Sequence, residues 1–320
     1  MKTLNEQINE VLTSKQTKSA KRNDLIKKLG LTQLDVRVLF KTYADVIEQT
    51  STTHTRAPRI TGERAATINA IAMKYTFGVE IECYNAPRES LMQALAANNL
   101  RAQNLINYCD AHTGSYRRAY RLVHDGSIEG CNAVECVTPI LKGNRGFNSL
   151  QACCKALNTV GARVNTSTGL HIHVGGEITE AQYCNTFANY YYLESVIDTF
   201  MPESRRDTFY SKSLHGHVNA YNLLHARTFD EVYNVFQSRY YKVNACSWSR
   251  HQTIEFRQHS GTTNYEKIQM WAKFCLKLVA WSADNRLTAD VRSIKDIPFL
   301  TKAEKDWFTN RANTLAGAAE

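Results

Sequence analysis

GVEIECY at residues 78–84, AVECVTP at 133–139, GLHIHVG at 169–175 and TIEFRQH at 253–259 are the stretches that decide how this chain reads. Side chains alternate between faces along a strand, so Glu80 and Glu82 share one face while Val79, Ile81 and Cys83 share the other. In the same way His171 and His173 oppose Leu170, Ile172 and Val174, and Glu255 and Arg257 oppose Ile254 and Phe256. A sheet of such strands has one apolar face and one charged face. Four carboxylates meeting on the charged face, those of Glu80, Glu82, Glu135 and Glu255, raise one another's pKa unless cations compensate them. Bound divalent metal is the economical explanation.

Around these strands the chain alternates predicted strands with predicted helices. PRESLMQALAAN at 87–98 opens on a proline suited to a first helical turn, and FNSLQACCKALNTVG at 147–161 closes on glycine. Thr179 with Gln182 predicts the start of a long helix running to Met201. Thr228 with Glu231 predicts another running to about Tyr240, and a last long helix is expected from about Asn264 to Ala283. The pattern reads as α+β: a curved, mainly antiparallel sheet with helices on its apolar face and the site on its polar face.

The 320 residues suffice for a large domain with an appendage, and 43% hydrophobic content supports a core. Residues 1–48 read as a basic helical region, 49–72 as a Thr- and Arg-rich linker, and 73–320 as the domain that carries the motif strands. The net charge of +9 is uneven: residues 1–74 carry 13 Lys and Arg against 7 Asp and Glu, a net of +6. KRNDLIKKLG followed by LTQLDVRVLFKTY has the form of helix, tight turn and helix, with a loose match to a DNA-binding helix-turn-helix. Nucleic acid is therefore a candidate partner of residues 1–48, and a solubilising basic arm is the plain alternative. Nine cysteines with no CxxC spacing read as free thiols in a reducing compartment. With no signal-like amino terminus and no membrane-length apolar run, the expectation is a cytoplasmic protein that does not span a membrane.

Each motif has an ordinary structural explanation. Glutamates two apart on a strand can be a solvated face, Asp125 and Gly126 can be turn chemistry, and Glu255 and Arg257 can simply pair with each other. The histidines of GLHIHVG can bind metal or phosphate or be structural. A carboxylate-rich site with histidine and no thiolate suits Mg2+ or Mn2+, and arginine beside such carboxylates suits a transferring phosphoryl group. A metal-dependent hydrolase fits less well, because no activated Ser or Cys nucleophile motif is present.

Taken in order, GVEIE, DGS before VECVTP, GLHIHVG, PESRRDTFY, YYKVN and TIEFRQHSGT resemble the putative amidoligase family of the glutamine synthetase-like carboxylate-amine ligase superfamily. The resemblance spans about residues 75–282 and omits the first 70. It implies a sheet of the glutamine synthetase/glutamate-cysteine ligase catalytic type, with ATP and Mg2+ (or Mn2+) as cofactors. It also implies an amino-acid or peptide carboxylate and an amine as substrates, joined through an acyl phosphate. Carried over by position, Glu82 and Glu135 are implied to hold one ion and Glu80, His171 and Glu255 another. His173 is implied on the nucleotide side, Arg257 on phosphate, and Arg205 or Arg206 and Asn244 toward substrate. Asp125 and Ser127, from DGS, join the ATP- or substrate-binding set. Which imidazole takes metal stays open. A third metal would take its extra carboxylate from Glu129 or Asp125, and both lie before Glu135 in the chain. Loops at 109–124 and 203–227 are candidate lids, rich in Arg and Tyr with few apolar anchors.

Overall fold

The computed structural model describes residues 2–15, 18–43, 46–47, 62–104 and 118–317. The chain divides into two compact units, Met1–Ala57 with Leu287–Asp290, and Pro58–Arg286 with Val291–Glu320. The first holds α1 (Leu4–Thr13), α2 (Lys18–Lys27) and α3 (Gln33–Thr42). Thr3 and Thr32 open α1 and α3 with reciprocal capping boxes to Glu6 and Asp35.

The second unit is α+β. It begins with α4 (Gly62–Ala72), where the linker reading of 49–72 fails in its last eleven residues; residues 48–61 lie outside those described. Ile68 and Ala72 of α4 are buried, and the Ala-rich sequence GERAATINAIA favours helix. Then follow β1 (Thr76–Cys83), α5 (Arg88–Ala97), β2 (Ala102–Asn104), β3 (Tyr120–Val123), β4 (Val134–Val137), β5 (Leu141–Lys142), α6 (Gly143–Thr159) and β6 (Gly169–Gly175). The remainder is α7 (Glu180–Thr199), α8 (Ala220–His225), α9 (Phe229–Phe236), β7 (Val243–Asn244), α10 (Ser247–His251), β8 (Thr253–Ser260), α11 (Tyr265–Trp281) and α12 (Lys302–Gly317). The strands form one mixed sheet in the order β2-β3-β4-β1-β6-β8-β7, with β5 pairing β1; β2 and β3 run parallel and every other pairing is antiparallel.

One face of this sheet is apolar, as the alternation predicts. Val79, Ile81, Ile172, Val174, Ile254 and Phe256 are fully buried. Phe147 of α6 stacks on Phe77, and Tyr190 of α7 meets Phe256, while α11 packs on β6. Burying six such side chains stabilises the unit by roughly 1.5–3 kcal/mol each before conformational entropy is set against it.

Two helix ends and the two candidate lids differ from the sequence expectation. The helix opened by Thr228 stops at Phe236 because Gln237 adopts a left-handed conformation (φ 47°), and the one opened by Thr179 stops at Thr199. Of the candidate lid at 109–124, residues 109–117 lie outside those described, and Tyr120–Val123 is strand β3 with Leu122 and Val123 buried. The candidate lid at 203–227 is anchored: Leu214 and Leu223 are fully buried, and Glu194 accepts the Leu214 N–H. No helix among the described residues is long and apolar enough to cross a membrane.

Candidate active site

Strand register assembles the site before any side chain chooses a rotamer. Across β1 and β4 Glu82 stands opposite Glu135; across β1 and β6 Glu80 stands opposite His171; across β6 and β8 His173 stands opposite Glu255; and Asn244 of β7 stands opposite Glu255. Directly opposed residues on one face are the closest cross-strand neighbours, so four strands deliver one patch.

Two clusters emerge within it, each with ligand atoms mutually within 4.8 Å: Glu80, His173 and Glu255, and Glu82, Asp125 and Glu135. In the first, His173 Nε2 lies 3.2 Å from Glu80 Oε1 and 3.9 Å from Glu255 Oε1 yet forms no hydrogen bond. Its other ring nitrogen is 2.9 Å from the Thr253 hydroxyl, so a donated Nδ1–H would leave the Nε2 lone pair aimed at the carboxylates. His171 sits between the clusters, with Nδ1 3.0 Å from Glu80 and Nε2 3.6 Å from Glu82. The imidazole that joins a metal-compatible set is thus His173, while His171 bridges the two sets.

Glu255 is gripped from both sides, accepting from Arg257 Nη1 at 2.5 Å and from Asn244 Nδ2 at 2.5 Å. Glu82 accepts the Gly169 N–H at 2.5 Å. Asp125 accepts from the Ser127 backbone and hydroxyl at 2.8 and 2.7 Å, which turns the DGS loop toward β4. Glu129, the other carboxylate in that turn, is exposed and outside both clusters.

The electrostatics separate the clusters. Burial pushes the Glu80 carboxyl up, but His173 and His171 outweigh it and hold it well below the usual range. Burial likewise opposes ionisation of Glu255, and Arg257 with His173 reverses that and lowers it. Glu135 is pushed well above the carboxylate range by burial and then by Glu80, Glu82 and Asp125. The His173 ring, which burial alone would keep neutral, is raised by Glu80 and Glu255.

Of the two arginines in PESRRD, the structure brings in one. Arg205 is buried, donating to the Thr168 carbonyl, whereas Arg206 is exposed and donates to the Met201 carbonyl. Arg205 reaches the patch because position 169 is glycine: a Cβ there would lie 2.9 Å from Arg205 Nη2 and His171 Nε2 and 3.3 Å from Glu82 Oε2.

Several supporting residues escaped the sequence reading. Between Leu170/His259 and Ile172/Phe256 the register shifts by one residue, a bulge in β8. It leaves Arg257 beside Glu255 but carries His259 to the apolar side, against Trp271, where burial lowers its pKa to about 3. Gln258 follows Phe256 onto the helix-facing side, accepting from the Tyr190 hydroxyl and donating to Asp198, which also pairs with the fully buried Lys242 at 2.7 Å. The Arg257 N–H donates to the Lys242 carbonyl, so this buried network fixes the backbone that carries the guanidinium. Thr253 and Gly169, at the ends of their strands, had a legible signal in being the polar or small residue beside each motif.

The residues present fit divalent metal: His173 Nε2 is a buried polar atom without a hydrogen bond, and the second cluster is three carboxylates whose mutual repulsion, with burial, keeps Glu135 raised well above the usual range despite Arg257. A groove of about 700 Å³, lined by Arg88, His124, Asp125, Gly126, Ile128 and Asn132 among others, opens at the Asp125 end.

No curated protein matches the chain. The model of a family described as putative amidoligase enzyme matches residues 73–279, more than half of the sequence and every strand of the sheet. The chain belongs to the putative amidoligase enzyme family.

Proposed function

We propose that the polar sheet face is the active site of an ATP-dependent carbon-nitrogen ligase, built on a sheet of the glutamine synthetase/glutamate-cysteine ligase catalytic type. A carboxylate oxygen of an amino acid or peptide attacks the γ-phosphorus of ATP, breaking the bond to the bridging oxygen and releasing ADP. An amine then attacks the acyl phosphate carbon, phosphate leaves, and the amine proton passes to a base or water, giving an amide. Mg2+ or Mn2+ held by Glu80, His173 and Glu255 and by Glu82, Asp125 and Glu135 would offset the charge of both approaching anions. The protein's own contribution is positioning. Arg257, locked by Glu255 and the Lys242 carbonyl, offers its remaining donors to a phosphoryl oxygen; Arg205 sets a second positive charge beside Glu82; Asn244 orients Glu255. The groove at Asp125 offers the acid or amine an approach beside the second cluster.

The observation that carries this reading is the arrangement on one sheet face of two acidic clusters beside a buried guanidinium whose Nε has no partner among the described residues. The test is release of ADP and phosphate from ATP and Mg2+ with pooled amino acids and amines, comparing wild type with Glu255→Gln. Turnover that needs both an acid and an amine and disappears in the variant is the expected result. Equal turnover by the two proteins, or phosphate release with neither acid nor amine present, would overturn it, the latter in favour of a hydrolase.

A further inference from the structure

None of the described residues of the first unit is in either carboxylate cluster, and the unit has a core of its own. Its core is Leu12, Leu25, Val36 and Ile47, each at most 4% exposed, with Leu29, Leu31 and Leu39 packed against them. α2 gives way to a turn at Gly30, whose φ of +66° is a left-handed conformation that a side chain disfavours. The N–H groups of Gly30 and Leu31 donate back to the carbonyls of Ile26 and Leu25 at 3.1 Å, and Thr32 then caps α3. Two ten-residue helices are thus joined by residues 28–32 with glycine at the centre, and α1 adds Leu12 to their shared core.

The side of α3 left outside this packing carries the cations. On α3 Arg37, Val38, Lys41 and Thr42 are exposed, and Arg37 and Lys41 lie one turn apart on the same side. Neither cation is ion-paired among the described residues. The acidic side chain of this helix, Asp35, is turned back into the cap, accepting from the Thr32 N–H and hydroxyl at 2.9 and 2.6 Å. Arg22 of α2 stands 4.6 Å over the Phe40 ring, which adds positive charge beside Arg37 and Lys41 and covers the ring that a single-strand stacking platform would have to present.

We propose that this unit is a helix-turn-helix module that binds duplex DNA, with α3 in the major groove, Arg37 directed to base edges, and Lys41 and Arg22 to phosphates. A helix joined by a glycine turn to a second helix, with cations on its outer face and its one acid held in the cap, has the element order and charge that groove binding uses. This module is a second function beside the ligase site and does not depend on it.

The test uses the full chain and a labelled mixed-sequence duplex, titrated across a series of salt concentrations. The expected dissociation constant is about 10⁻⁴ to 10⁻⁶ M near physiological salt, with log K falling linearly as log salt rises. Lys41→Ala should weaken binding and lower the salt slope by about 1, and Arg37→Ala should weaken it further on preferred sequences. Lys302→Ala, which removes an exposed cation from the other unit, should change nothing. Circular dichroism establishes that both α3 variants remain folded. Failure to retain duplex at low salt, retention unaffected by either α3 variant, or tighter capture of single-stranded nucleic acid or polyglutamate than of duplex would each overturn the proposal.

Discussion

The two carboxylate clusters lie on the same sheet face and share strand β1, yet they are neutralised in opposite ways. Around Glu80 and Glu255 the fold supplies a guanidinium and two imidazoles. His173, His171 and Arg257 overcome burial, and both carboxyls titrate below their usual range. Around Glu82 and Glu135 the third member is another acid, Asp125, and Glu135 is driven well above the carboxylate range. Register along β1 sets Glu80 opposite His171 and Glu82 opposite Glu135, so a spacing of two residues separates a self-compensated site from one that requires a proton or an imported cation.

Breaking the compensated cluster should have the largest effect. Glu255→Ala strips the carboxylate from Arg257, leaving a buried guanidinium uncompensated. That costs about 3–5 kcal/mol, read by chemical denaturation, and ligase turnover should fall by at least about 10²-fold to 10³-fold. Wild-type stability in this variant would show that the cluster is not neutralised from within.

The acidic cluster should respond in the other direction. In chelator, a carboxyl whose folded pKa is raised holds its proton in the native state after the unfolded chain has lost it. Stability is therefore highest below the unfolded value and declines as pH rises through the folded one. Glu135→Gln should flatten that decline and raise the melting temperature of the metal-free protein at neutral pH, while abolishing most of the stabilisation conferred by Mg2+. For the wild type that stabilisation is about 2.7 kcal/mol at a hundredfold excess over Kd. A metal-free Glu135→Gln protein less stable than wild type at pH 7 would remove the contrast between the clusters.

Gly169→Ala perturbs the seam between them. The added Cβ meets Arg205 and His171 at 2.9 Å, and relieving such overpacking costs about 1–3 kcal/mol. Displacing either group by even a fraction of an ångström should slow turnover, with about 10²-fold as the scale for 1 Å. Unchanged kinetics would mean that neither Arg205 nor His171 needs its present position.

How much of this could be read beforehand follows from the physics of each element. The two-faced strands, the caps at Thr179, Thr228 and Asn264 and the glycine turn at Gly30 are local, set by alternation and by hydrogen bonds a few residues apart, and the sequence carries them openly. Glu80, Glu82, Glu135, His173, Glu255 and Arg257 were legible for the same reason. The partition of histidines was not, because it depends on which strand lies beside which and on the Thr253 hydroxyl orienting His173. Nor was the bulge in β8, which makes alternation fail after Gln258 and sends His259 to the helices on the same side as Gln258. Lys242 read as part of a motif, whereas its ammonium is buried between Glu194 and Asp198, a pairing made across 48 and 44 residues of chain.

The smallest predicted effect sharpens the comparison from its weaker side. Asp125 is the member of the acidic cluster that arrives on a turn instead of a strand, so its position depends on hydrogen bonds to Ser127 where the others depend on sheet register. Ser127→Ala keeps the backbone N–H bond and removes the hydroxyl bond, which on an exposed turn contributes less than about 0.5–1.5 kcal/mol. The melting temperature of the metal-free protein should hardly move. Loss of an orienting partner should nevertheless raise the Mg2+ concentration needed for half-maximal stabilisation by about tenfold, as read by metal titration of thermal unfolding, while Asp125→Ala should raise it further. A Ser127→Ala protein as impaired as Asp125→Ala would make the hydroxyl itself part of the cation site, and one with unaltered Mg2+ dependence would show that the backbone bond alone aims Asp125. The expected intermediate value is what a carboxylate supplied by a turn, and held by two bonds of comparable length, should give.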